Sequence, residues 1–483
     1  MSEPAPEDIF GTLRGGEGSV ATDAPRASAP APAVSGDPFE AALRGCYYDA
    51  HGGRYFYPRQ PGPGWVVVAE ASLKRHLSLR GTRKDELPAA LCFVQTRRAV
   101  DFAGPVAGHA CGPLDYGGRI ILVTEQAKPV APAPGEWPTL RKFLRELLAP
   151  PGDADAGKLQ FEHFLGWLHV ALLSLHAREY RPGQCLILAG ERDGGKSLAV
   201  RMIARLFGGR VAHPYSSMTG ATDFNSEAFG SELLVVDDEV ASADIRARRA
   251  LGTNIKSWLY ADSVRCHPKG RPAVSLRPWW RLVIACNSEP EALAVLPPLD
   301  ASLADKLLAF RCGRASLPPT ETQEDRAALL SRLDGELPAL AHYAMRRHRI
   351  ADNLRCRRNG VASYISPAIE DALHELSPEA KLAALIEQTI GQEADAGSGV
   401  ATWEGTATEL EREMKASHGG RYAAEVSRVL PHPNTCGNYL ARLASKMPEG
   451  VAKAGHAHGH VTRWKITPAR LAVGERGSKF FTS

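Results

Sequence analysis

The sequence lacks the features of a membrane or secreted protein. No apolar run approaches the roughly 20 residues that a transmembrane helix needs. Residues 1–38 are acidic and rich in Ala, Pro, Ser and Gly, without the apolar stretch of a secretory signal. We therefore expect a cytoplasmic protein that makes no membrane contact and begins with a disordered tail over 1–38.

The nine cysteines give no sign of a disulfide framework or a zinc finger. They are scattered singly, without a Cys-x-x-Cys pair or a Cys/His group at zinc-finger spacing. We expect most of these thiols to be small buried apolar groups in a reducing compartment.

The chain is longer than one hydrophobic core normally supports, so its 483 residues predict two or three domains. Its formal net charge of +4 is uneven, because residues 1–40 carry two basic and seven acidic side chains, a balance of −5. The remaining 443 residues therefore carry +9. This modest excess is compatible with a polyanionic partner without requiring one.

Composition and hydrophobic pattern divide the chain into segments. Short Tyr- and Trp-rich strands between Gly/Pro turns predict a small α+β domain over 39–126, and a linker with a helix follows over 127–160. Over 161–350, apolar runs alternate with helical patterns, which predicts an α/β domain with a mainly parallel sheet. The remaining segments are a helical connector over 351–400, a small domain over 401–470 and a tail over 471–483.

The most specific motif lies between an apolar run at 185–189 and a helical pattern. It fits G-x-x-x-x-G-K-[ST] in full and consists of Gly190, Glu191, Arg192, Asp193, Gly194, Gly195, Lys196 and Ser197. Glycines let such a loop curl so that its backbone N–H groups point at a phosphate chain. The helix N-terminus adds a positive dipole, Lys196 reaches the terminal phosphates and Ser197 ligates Mg²⁺. The motif predicts an ATP site, and a simple Gly-rich strand-to-helix turn is the alternative.

Three carboxylates stand at the end of a second predicted strand at 233–236. They are Asp237, Asp238 and Glu239, and such a cluster is costly unless a cation or solvent compensates it. In a P-loop protein one carboxylate holds Mg²⁺ and a neighbour orients or deprotonates the attacking water. Either Asp237 with Asp238 or Asp238 with Glu239 forms that pair, and a charged turn is the alternative. As metal ligands we predict Ser197, Asp237 and Asp238.

A third predicted strand, at 282–286, ends in Asn287. Taken alone, an asparagine in this position is more typical of a turn. An amide on a strand beside the P-loop strand can also hold the attacking water and sense the terminal phosphate. Its place after the other two elements favours this catalytic interpretation.

These three elements, in this order, resemble those of superfamily 3 helicases, the AAA+-like motors of viruses, phages and plasmids. The similarity is greatest to phage and plasmid primase-helicases. The stretch Phe164-Leu-Gly-Trp-Leu-His169 resembles the helix that leads into that motor, and Lys256, Asp262 and residues 265–271 resemble an extra motif before the third strand. The resemblance covers residues 149–315. It implies that 161–350 is an ATPase domain of a homo-oligomeric ring, a hexamer, acting on DNA.

The extra motif is strongly basic. Lys256, Arg265, His267, Lys269 and Arg271 lie within 16 residues, punctuated by prolines and a glycine. A tight basic loop suits the phosphates of single-stranded DNA, and a solvated surface hairpin is the alternative. In relatives the motif carries a hairpin that points into the central channel, so the resemblance assigns these five residues to DNA binding.

The resemblance also implies an arginine, shortly after the third strand, that completes the active site of a neighbouring subunit. Lys306 stands where this arginine is expected, and Arg311 follows five residues later. A lysine supplies charge but lacks the planar fork of an arginine. Lys306 and Arg311 are therefore both candidates for this catalytic role.

The carboxy-terminal region predicts a winged helix over 401–470. Two helical patterns precede a two-stranded hairpin that carries His456, His458 and His460. Residues 401–483 hold twelve basic and seven acidic side chains, which suits duplex DNA, and a protein-contact winged helix is the alternative. We interpret the histidines as a wing tip near phosphate rather than as a metal site.

The sequence gives no sign of primase catalysis. Its single Asp-x-Asp pair, Asp153 with Asp155, lies in a Gly/Ala/Pro-rich connector rather than on a strand. We therefore expect the helicase part of a replication system that works with a separate primase or other replication proteins.

Two functions fit these features. In the first, the chain is a DNA helicase that uses ATP and Mg²⁺ in the replication of a phage, plasmid or other mobile element. In the second, it is a DNA-bound initiator or regulator that uses ATP to assemble without unwinding. The basic loop at 265–271 favours the first. A small-molecule P-loop kinase would have no use for that loop or for a winged helix.

Overall fold

The structure, a computed structural model, describes residues 43–237, 245–318, 321–391, 402–456 and 461–471. The predicted tail at 1–38, together with Asp238, Glu239, His458 and His460, lies outside these residues. The described chain falls into two units, one of residues 43–104 with 111–124 and one of 105–110 with the residues from 125 onwards. None of the helices in these ranges is long and apolar enough to span a bilayer.

The first unit combines two small sheets with two helices. Its elements are β1 (Tyr47–Asp49), β2 (Arg54–Pro58), β3 (Trp65–Val68), α1 (Glu70–Leu79), α2 (Leu87–Arg97), β4 (Ala99–Val100), β5 (Phe102–Gly104), β6 (Gly112–Tyr116) and β7 (Arg119–Val123). The strand orders are β3-β2-β1-β4 and β5-β7-β6. Leu73 and Leu77 of α1, Val94 of α2 and Tyr55 of β2 are buried together in one small core. Both helices therefore pack their apolar faces on the first sheet.

The division between the two units is not a single point in the sequence. Residues 105–110 belong to the second unit. Within them, the Ala107 N–H donates to the Phe229 carbonyl at 2.7 Å, and the Ala107 carbonyl accepts the Trp279 N–H at 3.0 Å. Backbone groups of any sequence can make such hydrogen bonds, so the local sequence does not show that residues 105–110 belong to the second unit.

The second unit is built on a parallel sheet of six strands. Its strands in chain order are β8 (Cys185–Gly190), β9 (Val211–Ala212), β10 (Leu233–Asp237), β11 (Val264–Cys266), β12 (Val274–Leu276), β13 (Arg281–Asn287), β14 (Leu307–Arg311), β15 (Arg355–Cys356), β16 (Gly360–Val361) and β17 (Tyr364–Ile365). The sheet has the order β17-β14-β8-β13-β10-β9, and every neighbouring pair in it is parallel. β8 is buried along its whole length, as a strand covered on both faces requires. The three strands expected from apolar runs are confirmed, and this mixed α/β architecture fits a P-loop-like core.

Helices cover the sheet of the second unit. They are α3 (Pro138–Leu147), α4 (Ala154–Ala177), α5 (Lys196–Leu206), α6 (Tyr215–Met218), α7 (Ser226–Phe229), α8 (Ile245–Tyr260), α9 (Pro290–Leu293), α10 (Ala301–Ala304) and α11 (Gln323–His342). α4 begins at Ala154, before the start of the α/β domain predicted at residue 161, because the Asp153 side chain accepts the Ala156 N–H at 2.8 Å and caps the helix. Asp155 lies in the first turn, where negative charge suits the helix dipole. The Asp-x-Asp pair therefore belongs to a helix start.

The chain ends in a small helical region with a three-stranded sheet. Its elements are α12 (Pro367–Glu375), α13 (Pro378–Ile386), β18 (Trp403–Thr406), α14 (Ala407–Ala416), α15 (Ala423–Val429), α16 (Thr435–Lys446), β19 (Val451–His456) and β20 (Thr462–Ile466). The strands are antiparallel in the order β18-β20-β19. Leu382 and Ile386 of α13 are fully buried in the same core as Leu440 and Trp464. The core thus begins at α13, inside the connector predicted over 351–400.

We expect Leu382→Ala to destabilise this C-terminal core by about 2–4 kcal/mol, because it removes a fully buried side chain and leaves a cavity. The neighbouring Lys381 is exposed on the same helix, and Lys381→Ala should change the free energy of unfolding by less than about 0.5 kcal/mol. Chemical denaturation with limited proteolysis of the C-terminal region measures both effects. Equal stability of the two variants would contradict the packing of α13 in this core.

Candidate functional site

The predicted P-loop connects β8 to α5 at the carboxyl edge of the sheet. Its path uses left-handed backbone at Asp193 (φ 57°) and at Gly195 (φ 109°). Gly195 is the N-cap of α5 and makes no side-chain capping bond. The first N–H groups of α5 therefore have no partner within the helix and are available to an anion.

Two other segments of the chain pack against the P-loop. A Cβ atom on Gly195 would lie 2.9 Å from Phe143 Cε2 of α3, and one on Gly194 would lie 3.1 Å from the Gly313 carbonyl oxygen. The Gly194 carbonyl also accepts the Ala315 N–H at 3.1 Å. Only glycine, which has no Cβ atom, can lie so close to helix α3 and to the segment that follows β14.

Lys196 is the central side chain of the site. It is only 8% exposed. Its Nζ donates to the carbonyl oxygens of Gly190 at 2.9 Å and Glu191 at 2.6 Å, and to Asn287 Oδ1 at 3.1 Å. These three partners are neutral oxygens, and a buried ammonium with neutral partners favours an added anion. The structure therefore brings together the P-loop lysine and the asparagine predicted to hold water, 91 residues apart.

Asp237 lies at the same edge of the sheet. β10 is parallel to β13 with Asp237 opposite Ala285, and β13 is parallel to β8 with Asn287 opposite Gly190. The carboxyl ends of three adjacent strands thus carry a carboxylate, an amide and the start of the P-loop. This arrangement can bind a phosphate chain and place oxygen ligands beside it.

His213 also belongs to this edge, and the sequence did not signal it. It follows β9, and its Nδ1 lies 3.2 Å from Asp237 Oδ1. Only the pairing of the two-residue β9 with β10 brings it there, and so short a strand has no recognisable pattern. Asp238 and Glu239 follow Asp237 directly but lie outside the described residues. The choice between the two carboxylate pairs therefore stays a prediction.

The oxygen atoms at this edge fit a magnesium nucleotide. Ser197 is exposed in the first turn of α5, and Asp237 is half-buried at the end of β10. Hydroxyl and carboxylate oxygens are the ligands that Mg²⁺ takes together with phosphates. The glycine cradle, the uncapped start of α5 and the Lys196 ammonium fit the phosphates themselves.

Two buried thiols flank Lys196. Burial raises the pKa of Cys286 to about 12 and that of Cys312 to about 12, although the Lys196 charge opposes both shifts. Both thiols therefore stay protonated and pack as small apolar groups. Six of the nine cysteines are buried, as expected from their scattered positions.

The basic motif forms an antiparallel hairpin of β11 and β12. Its tip turns through Gly270, where φ is 71°. Four of the five predicted DNA-binding residues lie on it: Arg265, His267, Lys269 and Arg271. Arg265 and Lys269 are exposed, and the other two are half-buried. The hairpin therefore presents cationic side chains on a short, well-defined turn.

Lys256 does not lie on this hairpin. It belongs to α8, where its Nζ donates to Ser302 Oγ at 2.9 Å and lies 3.8 Å from Asp300 Oδ2. The lysine thus ties α8 to the start of α10. The basic character of the hairpin comes from the other four residues.

Two neighbouring residues of another loop hold the hairpin, and the sequence did not single them out. Asn225 Oδ1 accepts the His267 N–H at 2.8 Å, and Asn225 Nδ2 donates to the Arg265 carbonyl at 2.9 Å. Phe224 is 45% exposed, and its ring centroid lies 5.3 Å from that of His267. An exposed aromatic ring beside basic side chains is a surface on which nucleic-acid bases can stack.

The two candidates for the trans-acting residue lie at opposite ends of β14. Lys306 precedes the strand, its side chain is 10% exposed, and its Nζ contacts Asp305 Oδ1 at 2.5 Å and the Ser302 carbonyl at 2.7 Å. Arg311 ends the strand at the carboxyl edge, opposite Ala189 of β8. Lys306 is thus already paired with a carboxylate, whereas Arg311 lies next to the P-loop strand of its own chain.

The C-terminal region offers cations on two elements. Arg442 of α16 is paired with Glu379 of α13, with 2.5 Å between Nη1 and Oε1. Lys453 and Arg463 are exposed on the hairpin of β19 and β20. Both elements therefore carry exposed cations, since Lys446 of α16 is exposed as well.

A protein family of unknown function matches part of the second unit. Residues 188–301 match DUF5906, a family of unknown function, and this range covers the P-loop, β10, the basic hairpin and β13. No curated protein matches the chain.

Solved structures show a similar fold over nearly the whole chain. One structure of the C-terminal region of NrS-1 superposes with a TM-score of 0.53 at 15% identity, over 90% of this chain and 100% of that one. A second structure of the same region gives a TM-score of 0.52 at 14% identity, over 89% and 98%. A JCV helicase structure matches with a TM-score of 0.22 at 12% identity, over 40% of this chain and 55% of that one, which is too low to inform the fold. The chain therefore shares its architecture with the C-terminal region of NrS-1.

Proposed function

We propose that this chain is an ATP-hydrolysing DNA helicase of the superfamily 3 type, an AAA+-like P-loop protein. The observation that carries the proposal is the contact of the buried Lys196 ammonium with Asn287, at an edge that also holds Asp237. The strand order supports it, because β13 lies between β8 and β10. An asparagine on the middle strand is therefore next to both the phosphate cradle and the carboxylate. A simple Gly-rich turn would not need this arrangement.

In this proposal the chain supplies each hydrolytic group at the carboxyl edge. The N–H groups at the start of α5 bind the phosphate chain, and Lys196 contacts its terminal phosphates. Ser197 and Asp237, with Asp238 as a further candidate, hold Mg²⁺, which when bound neutralises phosphate charge. Asn287 orients the attacking water, and Asp238 or Glu239 accepts its proton.

Single-stranded DNA is proposed to bind the hairpin of β11 and β12. The exposed Arg265 and Lys269 suit backbone phosphates, and Phe224 next to His267 suits a stacked base. Duplex DNA is proposed to bind the C-terminal region, interpreted as a winged helix. Its order of elements supports this, since α13, β18, α14 and α16 precede the two strands of the wing.

A homo-oligomeric ring, a hexamer, would let one subunit complete the site of the next. Lys306 and Arg311 are both candidates for the residue that acts on the neighbour. To act there, Lys306 has to leave Asp305. Arg311, beside its own P-loop strand, suits a role within the same subunit. Such a ring would serve the replication of a phage, plasmid or other mobile element, beside a separate primase or other replication proteins.

Lys196→Ala should reduce ATP hydrolysis by about 100-fold or more, because the cradle loses the cation at the terminal phosphates. The control Lys158→Ala removes an exposed lysine of α4 and should leave hydrolysis unchanged. Phosphate release under saturating ATP measures both. Near-normal turnover in Lys196→Ala would remove the P-loop from the proposal.

Single amide substitutions can test which of the two carboxylate pairs acts in hydrolysis. Asp238→Asn should reduce hydrolysis while nucleotide binding is retained, if Asp238 orients or deprotonates the water. Asp237→Asn should instead weaken Mg²⁺-dependent nucleotide binding, because Asp237 lies at the end of β10. Binding of a fluorescent nucleotide with and without Mg²⁺, beside phosphate release, distinguishes the two roles. If Asp238→Asn weakens Mg²⁺-dependent nucleotide binding and Asp237→Asn leaves binding and hydrolysis unchanged, the pair is Asp238 with Glu239.

The double variant His267→Ala with Lys269→Ala should stop fork unwinding while ATP is still hydrolysed, because the hydrolytic groups lie on other strands. Single-strand binding should lose salt dependence, with a log–log slope smaller by about 0.7 for each charged side chain removed. The matched control is Lys158→Ala with Lys381→Ala, two exposed cations outside the hairpin. Normal unwinding by the hairpin variant contradicts its role on DNA. If hydrolysis is lost too, the hairpin serves folding or assembly.

Normal hydrolysis without unwinding by the unaltered chain would favour the initiator alternative.

A further inference from the structure

One segment connects the nucleotide edge of the sheet to the basic hairpin. The two ends of the 213–237 segment lie together, because His213 Nδ1 is 3.2 Å from Asp237 Oδ1. β9, just before the segment, pairs in parallel with the start of β10 inside it. Both ends are therefore fixed in the sheet. Asn225 lies at the midpoint, twelve residues from either end.

Asn225 binds one strand of the hairpin at two points. Its Nδ2 donates to the Arg265 carbonyl at 2.9 Å, and its Oδ1 accepts the His267 N–H at 2.8 Å. The carboxamide thus pairs with β11 as the peptide group of a neighbouring strand would, with a donor and an acceptor together. The position of this strand is therefore tied to the position of the 213–237 segment.

The part of the segment before Asn225 is stiffened by hydrogen bonds and burial. The Met218 N–H donates to the Pro214 carbonyl at 2.8 Å, and the fully buried Met218 accepts Asn254 Nδ2 of α8 on its own carbonyl at 2.8 Å. Tyr215 is buried beside it. The 214–218 part of the segment is therefore anchored to α8, and a displacement of it would reach Asn225 through residues 219–224.

The part after Asn225 leads directly to the carboxylate. It forms α7, where the Ala228 carbonyl accepts Trp280 Nε1 at 2.7 Å, and then β10, which ends at Asp237. Trp280 immediately precedes β13, the strand that carries Asn287. Asn225 is therefore connected along both directions of the chain to the edge where the hydrolytic groups lie.

We propose that Asn225 is the positioning residue that couples the nucleotide site to the DNA hairpin. A change at the Asp237 edge moves the 213–237 segment, and the two hydrogen bonds of Asn225 move the hairpin with it. This inference rests on the proposed function, because it requires that the edge hydrolyses ATP and that the hairpin binds DNA. Asn225 acts through the β11 backbone and not by direct contact with nucleotide or DNA.

The test uses Asn225→Ala in the full chain, which removes both hydrogen bonds and leaves the P-loop intact. Phosphate release without DNA should stay within about twofold of the unaltered chain, while strand unwinding and the stimulation of hydrolysis by single-stranded DNA fall about tenfold. Asn225→Asp keeps the acceptor for the His267 N–H and loses the donor, so its effect should be intermediate. Asn353→Ala replaces an exposed asparagine outside the segment and should change nothing.

A second measurement does not depend on turnover. Binding of a fluorescent single-stranded oligonucleotide is measured with and without a non-hydrolysable ATP analogue. The two affinities of the unaltered chain should differ by about tenfold, and those of Asn225→Ala should be equal. Phe224→Ala should lower both affinities together, because it removes a stacking surface but keeps the hydrogen bonds to β11.

The outcomes separate the inference from the function on which it rests. An unaltered chain that neither hydrolyses ATP nor unwinds a fork refutes the proposed function. If the unaltered chain does both and Asn225→Ala unwinds normally, the coupling role is overturned. If both Asn225 variants lose hydrolysis without DNA as well as unwinding, the role is also overturned, because Asn225 then serves only the stability of the site.

Discussion

The buried ammonium of Lys196 is the constraint on which the rest of the site depends. A cation that is 8% exposed is stable only if oxygen atoms replace its water shell. Here they come from the P-loop backbone and from Asn287, which lies on the neighbouring strand. A slip of one residue between β8 and β13 would turn the asparagine to the opposite face of the sheet. The chemistry of the site therefore depends on strand register as much as on the P-loop motif.

The P-loop is also held by the helix of the segment predicted as a linker and helix over 127–160. Phe143 of α3 lies where a side chain on Gly195 would clash. The start of α3 is fixed in turn by Glu336 of α11, whose carboxylate accepts the Leu140 N–H at 2.7 Å. A carboxylate at a helix N-terminus compensates both the unpaired N–H groups and the dipole. Helices from before and after the sheet therefore position the P-loop, and α3 packs in the main core of the second unit.

Features with a local, continuous pattern could be predicted from the sequence. β8, β10 and β13 are apolar runs of strand length, and the P-loop is a fixed spacing of residues with a known backbone requirement. The contact of Lys196 with Asn287 was foreseeable only from the order of these elements. His213 and Asn225 could not be found, because their contacts form only when distant segments pack. α13 was assigned to a connector because a helix does not reveal in its own sequence which core it completes.

The distribution of cations shows why the net charge of this chain is a poor guide to the proposed DNA surface. Lys256, Lys306 and Arg442 each lie close to an acidic side chain of the protein, so in this arrangement their charges are partly compensated and contribute little to attraction of a nucleic acid. DNA affinity arises when a protein cation replaces the counterions of a phosphate. Only cations that are exposed and unconstrained can do this at low cost, and Lys269 at the tip of the hairpin is one of them. The excess of +9 outside the first 40 residues therefore overstates the positive charge that is available to the proposed DNA partner.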